Sequence, residues 1–364
     1  MIVLALPFLI ALALSLLLGE RVVAALAAAK ARQPVSEDAP DAHRIKHGTP
    51  TMGGLLILLA TLVAAPFGLW QSWSKYAALA RGANVVYNPL AEWLIHLCAP
   101  AVMVLVVFVL ACGIGVLDDV GKAAKKLNKA GLSEPVKLGL QLAVAALFAG
   151  YLALSGVRGI TTALYFNGYL LDLGVFYYPF VVLYLCFFGN AVNFTDGLDG
   201  LAGGTTVIAA LTLGGIAAWQ SPVFGIPAVY GAIAGACAGF LWFNAHPARV
   251  FMGDTGSLAL GMGIAAAAIA AKQEVLLFIV GFVYVAEIVS MMIQRYVFKY
   301  RRIRFGMEYA KANRVFRRAP LHHHFEELGW RETTVVGRFY VAALFFGAVG
   351  VVVAPWLCWG GGGR

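Results

Sequence analysis

Long apolar runs alternate with short polar segments along the whole chain. Each run has roughly 16–25 residues, which is the length of helix that crosses the ~30 Å hydrocarbon core of a bilayer. Because lipid cannot satisfy unpaired backbone groups, each run is predicted to be a helix. The predicted spans are 2–19, 52–70, 94–117, 137–156, 175–192, 200–219, 223–243, 255–271, 275–297 and 335–358. We therefore expect an all-α integral membrane protein with about ten transmembrane helices, built as one polytopic domain over residues 1–364.

The composition supports this interpretation and excludes several classes of function. Of the 364 residues, 61% are hydrophobic and only 12% are charged, against about 25% charged residues in soluble domains. The five cysteines lie singly in or beside apolar runs, so neither a disulfide framework nor a zinc ribbon is indicated. The first run lacks a basic start and is therefore predicted to be a retained helix rather than a cleaved signal peptide.

The basic residues predict how the spans are oriented. With ten spans, the loops at about 20–51, 118–136, 193–199, 244–254 and 298–334 share one side of the membrane. That set of loops and the adjoining span ends contain 22 of the 27 lysines and arginines. The positive-inside rule then puts these loops in the cytoplasm and both termini outside. The net charge of +9 thus belongs largely to one face, where it suits membrane lipids or a phosphorylated substrate rather than nucleic acid.

Five aspartates lie at the ends of predicted spans, and all five are on the cytoplasmic side. Asp118 and Asp119 close the third span, Asp196 and Asp199 precede the sixth, and Asp254 precedes the eighth. Helix capping is an alternative explanation for Asp254 and for one of Asp196 and Asp199. It does not explain Asp118 and Asp119, since the helix dipole disfavours anions at a C-terminus. The joint pattern predicts an active site at the cytoplasmic face.

Clustered carboxylates of this kind favour a hard divalent cation. Oxygen ligands without thiolates suit Mg²⁺ or Mn²⁺, which bind one or two carboxylates together with substrate phosphates. A bound cation also relieves the repulsion among the carboxylates. Gly253, directly before Asp254, would allow backbone to approach a ligand, although close helix packing is the alternative explanation for a glycine there.

Two further segments contain candidate chemistry. The segment from Lys46 to Gly54 combines a lysine, two threonines and paired glycines at the start of the second span, which suggests an anion-binding entry. Three consecutive histidines, His322 to His324, precede the last span. Adjacent residues of a helix do not face one way, so phosphate binding or proton transfer by one or two of them is favoured over a zinc tripod. A solvated interfacial tract is the alternative.

Together these motifs resemble one known family. The Asp118-Asp119 pair and the stretches Asn193–Gly200 and Phe251–Gly256 are similar to features of the polyprenyl-phosphate N-acetylhexosamine-1-phosphate transferase superfamily. The Lys46–Gly54 segment and the Pro-x-His-His-His-Phe-Glu segment resemble its phospho-N-acetylmuramoyl-pentapeptide transferase branch. The resemblance extends from about Gln33 to Trp330.

The resemblance implies a reaction that the residues alone do not specify. Members transfer phospho-N-acetylmuramoyl-pentapeptide from its uridine diphosphate carrier to undecaprenyl phosphate, giving lipid I and uridine monophosphate. This is the first membrane step of peptidoglycan synthesis. It also implies a requirement for Mg²⁺, a place in the bacterial inner membrane, ten spans with both termini outside, and a homodimer.

Site roles follow from the resemblance residue by residue. It assigns metal binding to Asp254, and either general-base catalysis or metal binding to Asp118 and Asp119. The positions implied for the nucleoside region are Asn190, Asn193, Asp196 and Gly253. Further positions lining the site are Asp199, Asn244 and Phe251. Polar positions around the phosphates and the pocket mouth are Lys46, Thr51, Lys122 and Lys137. The pocket segment of the last cytoplasmic loop is represented by Ala319, His322 and His323, with His322 also implied in catalysis.

Departures from the family and rival interpretations remain. Ser36 and Ala39 stand where the family tends to have Arg and Gly, and the stretch Lys299–Arg314 is longer than the usual connection. A sister enzyme that transfers N-acetylglucosamine-1-phosphate is the nearest alternative. A transporter is a more distant one, since it predicts acids at mid-span, where this chain has only Glu287. The sequence leaves both direct transfer and a two-step route through an aspartyl-phosphate open.

Overall fold

The computed structural model describes residues 1–29, 48–82, 100–124, 131–155, 162–166, 169–220 and 225–357. It is nearly all helical. The helices of these ranges are α1 Ile2–Ala28, α2 Gly54–Gly82, α3 Pro100–Ala124, α4 Glu134–Ser155, α5 Tyr177–Thr195, α6 Leu201–Gln220, α7 Ile226–Asn244, α8 Gly253–Ala270, α9 Glu274–Val280, α10 Phe282–Phe305, α11 Met307–Ala312, α12 Leu321–Glu327 and α13 Glu332–Leu357.

The number of candidate membrane spans agrees with the prediction. Within the described ranges, nine helices are long and apolar enough to cross a bilayer, and the bent pair α9–α10 makes a tenth if it is counted as one span. Several helices continue past the predicted span ends, notably α1 to Ala28 and α10 to Phe305. Hydrophobicity marks the part of a helix that lipid covers, and the helix itself runs on into water.

The ninth predicted span, 275–297, differs from a continuous helix. The structure breaks it at Gly281, and α9 and α10 make an angle of 81°. Gly281 has φ −88° and ψ 22°, outside the helical region. A Cβ atom at Gly281 would lie 2.7 Å from the Leu277 carbonyl oxygen, so only glycine fits this bend.

The prediction of an all-α fold also needs a correction. Strands β1 (Ala163–Phe166) and β2 (Tyr169–Asp172) form an antiparallel hairpin between α4 and α5. The residues between the strands are Asn167-Gly168, a strong sequence signal for a hairpin turn. A search for apolar runs of membrane-spanning length does not detect these strands, because each has only four residues.

Glycines allow the first helix to pack closely against α7. Gly231, Gly235 and Gly239 recur every fourth residue on one face of α7. A Cβ atom on Gly231 would lie 2.2 Å from the Leu4 carbonyl oxygen, and one on Gly235 would lie 2.1 Å from the Phe8 carbonyl oxygen. Small residues at this spacing are typical of helix contacts in membranes, where close packing replaces the hydrophobic driving force.

Helix α8 occupies the centre of the bundle. Nearly all of its residues are buried, and it packs against α2, α3 and α5. Its last turn is followed by a buried ion pair, in which the Lys272 ammonium lies 2.6 Å from Glu274 Oε1. The Tyr177 hydroxyl also donates to that carboxylate oxygen. At 1.5 Å per residue, this pair lies ~27 Å along α8 from its first turn, where the candidate site begins.

Candidate active site

Three of the predicted aspartates meet where α3 approaches the first turn of α8. Asp118 and Asp119 lie near the end of α3, and Asp254 is the second residue of α8. Each contributes a carboxylate oxygen, and these oxygens lie within 4.8 Å of one another. Asp118 and Asp119 are buried, whereas Asp254 retains some exposure. The structure thus makes one cluster from residues 136 positions apart in the chain.

Glycines make this approach possible. A Cβ atom on Gly115 of α3 would lie 2.2 Å from the Asp254 carbonyl oxygen, well inside van der Waals contact. Gly253 has φ +72°, a conformation that favours glycine, and a Cβ atom there would lie 2.4 Å from Asp119 Oδ2. Gly54 of α2 similarly lies against the backbone of Gly256. Glycine beside the acids therefore serves close backbone approach.

Two lysines neutralise part of the cluster. The Lys122 ammonium lies 2.7 Å from Asp118 Oδ2 and 2.9 Å from Asp254 Oδ2. Lys137, from the first turn of α4, also bonds Asp254 Oδ2 and lies 3.6 Å from Asp118 Oδ2. Three carboxylates against two ammonium groups leave an excess of negative charge. The two lysines also present cations to any anion that enters beside them.

The remaining oxygens of the cluster are held by specific donors. Asp119 Oδ2 accepts hydrogen bonds from Thr255 N at 3.0 Å and from Thr255 Oγ1 at 2.7 Å. Asn193 Nδ2 donates to Asp254 Oδ1 at 2.7 Å. The Leu132 amide donates to Asp118 Oδ1 at 2.7 Å. These hydrogen bonds orient the three carboxylates.

Helix capping does not account for Asp254. The residue at the N-cap position of α8 is Met252, and no side-chain hydrogen bond caps the helix. Both Asp254 carboxylate oxygens instead bond Lys122, Lys137 and Asn193, which come from other helices. The first turn of a helix nevertheless suits a carboxylate, because the helix dipole is positive there.

The donor set fits a hard divalent cation. Converging carboxylate oxygens are ligands that Mg²⁺ prefers, and one or two of these three carboxylates with water and phosphate would complete its shell. Thr51 supplies a second observation, since its Oγ1 is buried and has no hydrogen-bond partner within the described part of the chain. A Cβ atom on Gly253 would lie 2.7 Å from that oxygen, so Thr51 faces the same corner as Asp119. An unpaired buried hydroxyl is costly unless a ligand or water satisfies it.

A second polar cluster surrounds the turn between α5 and α6. Asp199 Oδ2 accepts hydrogen bonds from His246 Nδ1 at 3.0 Å and from the Ala248 amide at 3.1 Å. Glu332 Oε1 accepts from the Asp199 amide at 2.8 Å. Asn244 joins the same turn to the segment before α8, because its Oδ1 accepts from Gly200 N and its Nδ2 donates to the Val250 carbonyl.

The histidine segment forms α12 and reaches this turn from another side. His322 is fully buried, and its Nδ1 lies 2.9 Å from Glu287 Oε2. Its Nε2 has no hydrogen-bond partner in the described ranges. A Cβ atom on Gly197 would lie 2.2 Å from that Nε2, so the ring faces the Asp196–Asp199 turn. His323 turns toward Glu326, with Nδ1 2.7 Å from Oε2.

Two groups beside the pocket have shifted pKa values. Desolvation and the nearby carboxylates of Asp254, Asp119 and Asp199 raise the pKa of Asp196 to about 8. Burial lowers the pKa of His323 to about 4, although its bond to Glu326 opposes the shift. His323 is therefore neutral at pH 7.

Some predicted site residues lie apart from these clusters. Asn190 donates to Gln141 Oε1 at 2.7 Å and to the Cys186 carbonyl, so its amide ties α5 to α4. Phe251 contributes backbone, since its amide donates to the Pro50 carbonyl and its carbonyl accepts from the Gly53 amide. Ala319 is half-buried just before α12. Lys46 lies outside the described residues.

Sequence reasoning gave no site role to several residues that contact the clusters. Thr255 and Ser257 lie one and three residues after Asp254, so hydroxyls close to the acid in the chain were an available signal. Glu287 and Glu332 lie far along the chain from their partners, so nothing in the local sequence links them to the site.

Comparisons with known proteins agree with the geometry. Residues 101–272 match the glycosyl transferase family 4, and residues 46–58 match the phospho-N-acetylmuramoyl-pentapeptide-transferase signature 1. A phospho-N-acetylmuramoyl-pentapeptide-transferase of Gemmatimonas aurantiaca is 43% identical, with 93% of this chain and 89% of the relative covered. One from Halalkalibacterium halodurans is 38% identical, with 98% of each covered. One from Shouchella clausii is 41% identical, with 89% of each covered.

Proposed function

The chain belongs to the phospho-N-acetylmuramoyl-pentapeptide transferases, and from that premise we propose what its residues do in the reaction. Phospho-N-acetylmuramoyl-pentapeptide passes from its uridine diphosphate carrier to undecaprenyl phosphate, and the products are lipid I and uridine monophosphate. The observation that supports this most is the cluster of Asp118, Asp119 and Asp254 with Lys122 and Lys137. Such a set binds a diphosphate and a second phosphate together.

Asp254 would be the principal ligand of Mg²⁺, and Asp118 and Asp119 are the further candidate ligands beside it. When bound, the ion supplies charge neutralisation for the diphosphate and for the leaving phosphate. Asn193 keeps Asp254 oriented through its bond to Oδ1, while Oδ2 faces the ammonium groups of Lys122 and Lys137. In phosphoryl transfer, positioning and electrostatic stabilisation supply most of the rate enhancement.

The lysines Lys122 and Lys137 serve the substrate phosphates. In the structure both ammonium groups bond Asp254 Oδ2, which positions them beside the acids. An arriving phosphate offers them additional anionic oxygens, and charge-assisted hydrogen bonds of this type are about twice as strong as neutral ones. Lys46, which the resemblance implies at the pocket mouth, would add a third cation.

The two adjacent aspartates have different roles in our proposal. Asp119 is occupied by the Thr255 amide and hydroxyl, so it fixes the start of α8 against α3. Asp118 accepts from the Leu132 amide at Oδ1, and its Oδ2 faces Lys122, so we assign to Asp118 the role of holding the lipid phosphate or taking its proton. Both direct attack by the lipid phosphate and a two-step route remain compatible with this arrangement.

The nucleoside would lie between the Asp196–Asp199 turn and α12. Asp196 would face the base from this turn, and His322 lies against Gly197 of the same turn. Asn244 and Asp199 support the turn from the other side. Asn190 and Phe251 would contribute through the helix contact and backbone bonds described above.

The proposed membrane arrangement follows the basic residues. Lys122, Lys137 and Arg249 lie on the face that the positive-inside rule makes cytoplasmic, so the active site faces the cytoplasm and both termini lie outside. The chain is a multi-pass protein, and its function requires the bacterial inner membrane, where undecaprenyl phosphate is found. A homodimer is proposed from the family alone.

A nucleotide-selectivity assay tests this function against the sister enzyme. Purified protein with undecaprenyl phosphate and Mg²⁺ is expected to release uridine monophosphate from the muramoyl-pentapeptide nucleotide. Under the same conditions uridine diphosphate N-acetylglucosamine is expected to give only background release. The opposite preference would show that the chain is the sister transferase, in spite of the signature match at 46–58.

A further inference from the structure

Glu287 is the one carboxylate well inside the bent α9–α10 pair, and none of the roles described so far uses it. It is completely buried, five residues after α10 begins. A buried carboxylate is costly unless its oxygens are hydrogen-bonded. Both of its oxygens bond a single partner residue: Oε1 accepts from the His322 amide at 3.1 Å, and Oε2 lies 2.9 Å from His322 Nδ1.

This two-point contact determines the state of the His322 ring. The carboxylate oxygen is an acceptor, so its contact with Nδ1 favours the tautomer in which that ring nitrogen holds the proton. The neutral ring is then the Nδ1–H tautomer, and its Nε2 has a free lone pair. The backbone bond to Oε1 fixes the first turn of α12 at the same time, so the ring is held in both rotation and position.

The other ring nitrogen faces the Asp196–Asp199 turn. His322 Nε2 is buried, lacks a hydrogen-bond partner in the described ranges, and lies against Gly197 of the Asp196–Asp199 turn. Leaving such an atom unpaired destabilises the folded protein unless a ligand or a water satisfies it. A structural histidine would have both nitrogens satisfied, whereas one that meets a ligand keeps one nitrogen available.

We propose that Glu287 is a positioning residue, which fixes the tautomer and orientation of His322 so that Nε2 meets the bound nucleotide substrate. The proposal rests on the proposed function for the identity of that substrate. Glu287 itself touches no substrate and acts through His322. Carboxylates that orient a histidine in this way typically alter activity 10–100-fold when they are replaced.

The first test is a double-mutant cycle on turnover. Glu287→Gln is expected to lower kcat about 10–100-fold, because an amide cannot accept from both the His322 amide and Nδ1–H. In a His322→Gln background the same change is expected to have no further effect, since residues that act as one unit are not additive. Equal losses in both backgrounds would overturn the proposal, as would wild-type turnover in the single variant.

A second readout separates positioning from a structural role. In protein labelled with ¹⁵N-histidine, at a pH where the ring is neutral, the wild-type His322 signals are expected to show a protonated Nδ1 and an unprotonated Nε2. Glu287→Gln is expected to shift the ring toward the Nε2–H tautomer. An unchanged tautomer would contradict the proposal. If the wild type showed this tautomer but no transferase activity, the proposed function would fail while the Glu287 contact stood.

Two further variants control for a general loss of folding. Glu287→Asp keeps the charge but is one methylene shorter, so it can reach only one of the two His322 donors and is expected to give an intermediate loss. It replaces Glu287→Gln in the cycle if that variant does not fold.

Glu274→Gln removes another buried carboxylate from the same bent pair, at its far end from the site. It is expected to lower stability without changing the His322 tautomer or kcat, and a matching change in either would count against a specific role for Glu287.

Discussion

Asp254→Asn is expected to abolish transfer while the protein remains folded in the membrane. The change keeps the size of the side chain but removes the charge that both Lys122 and Lys137 contact. It also removes the principal proposed ligand for Mg²⁺. Loss of one preorganised electrostatic contact costs roughly 100- to 1,000-fold in kcat, and Asp254 makes several. Release of uridine monophosphate by purified protein measures the effect.

A matched control is available in the hairpin. Asp172→Asn removes one carboxylate from an exposed position, where its partners are Thr162 and the Gly174 amide. It is expected to leave turnover unchanged. Thermal unfolding of both variants in detergent shows whether the fold is intact. Near-normal turnover of Asp254→Asn, with an unchanged midpoint, would disprove the role of Asp254.

Gly115→Ala is expected to cause the second large loss. Its new methyl group would lie 2.2 Å from the Asp254 carbonyl oxygen, a distance that real side chains do not adopt. Helices α3 and α8 must therefore move apart, and Asp118 and Asp119 move away from Asp254. Overpacking typically costs 1–3 kcal/mol, and a displacement of about 1 Å at a catalytic group can lower the rate 100-fold.

Gly113→Ala in the same helix is the control for this experiment. A Cβ atom on Gly113 would have no neighbour within 4 Å, so the substitution makes no contact. Turnover is expected to stay at the wild-type level, and alanine favours the helix by up to ~1 kcal/mol over glycine. Equal activity of Gly113→Ala and Gly115→Ala would show that the close approach of α3 and α8 is not required.

Much of the fold could be predicted from the sequence because few backbone conformations satisfy their hydrogen bonds inside a lipid bilayer. Apolar length alone located the spans, since only a helix satisfies its backbone in a bilayer. The same reasoning missed the bend at Gly281 and the hairpin from Ala163 to Asp172. A single glycine in an apolar run and two short strands hardly change hydrophobicity, although they change the direction of the chain.

The acidic cluster could be predicted because an ionised aspartate near a membrane span is costly, so several of them on one face indicate a function. The sequence predicts Asp118, Asp119 and Asp254 on one face, and the structure brings their oxygens within 4.8 Å. The supporting partners could not be found in this way. Glu287 contacts His322 across 35 residues, and Glu332 contacts Asp199 across 133 residues. Such pairs depend on how helices pack, which no local pattern records.

The most direct test of the central claim is the dependence of uridine monophosphate release on both Mg²⁺ and the lipid acceptor. Purified wild-type protein is incubated with the muramoyl-pentapeptide nucleotide, and undecaprenyl phosphate and Mg²⁺ are each omitted in turn. The account predicts release in the complete mixture, almost none with a chelator, and restoration when Mg²⁺ is added back. Undiminished release in the presence of the chelator would contradict a cation-dependent aspartate cluster as the site of transfer.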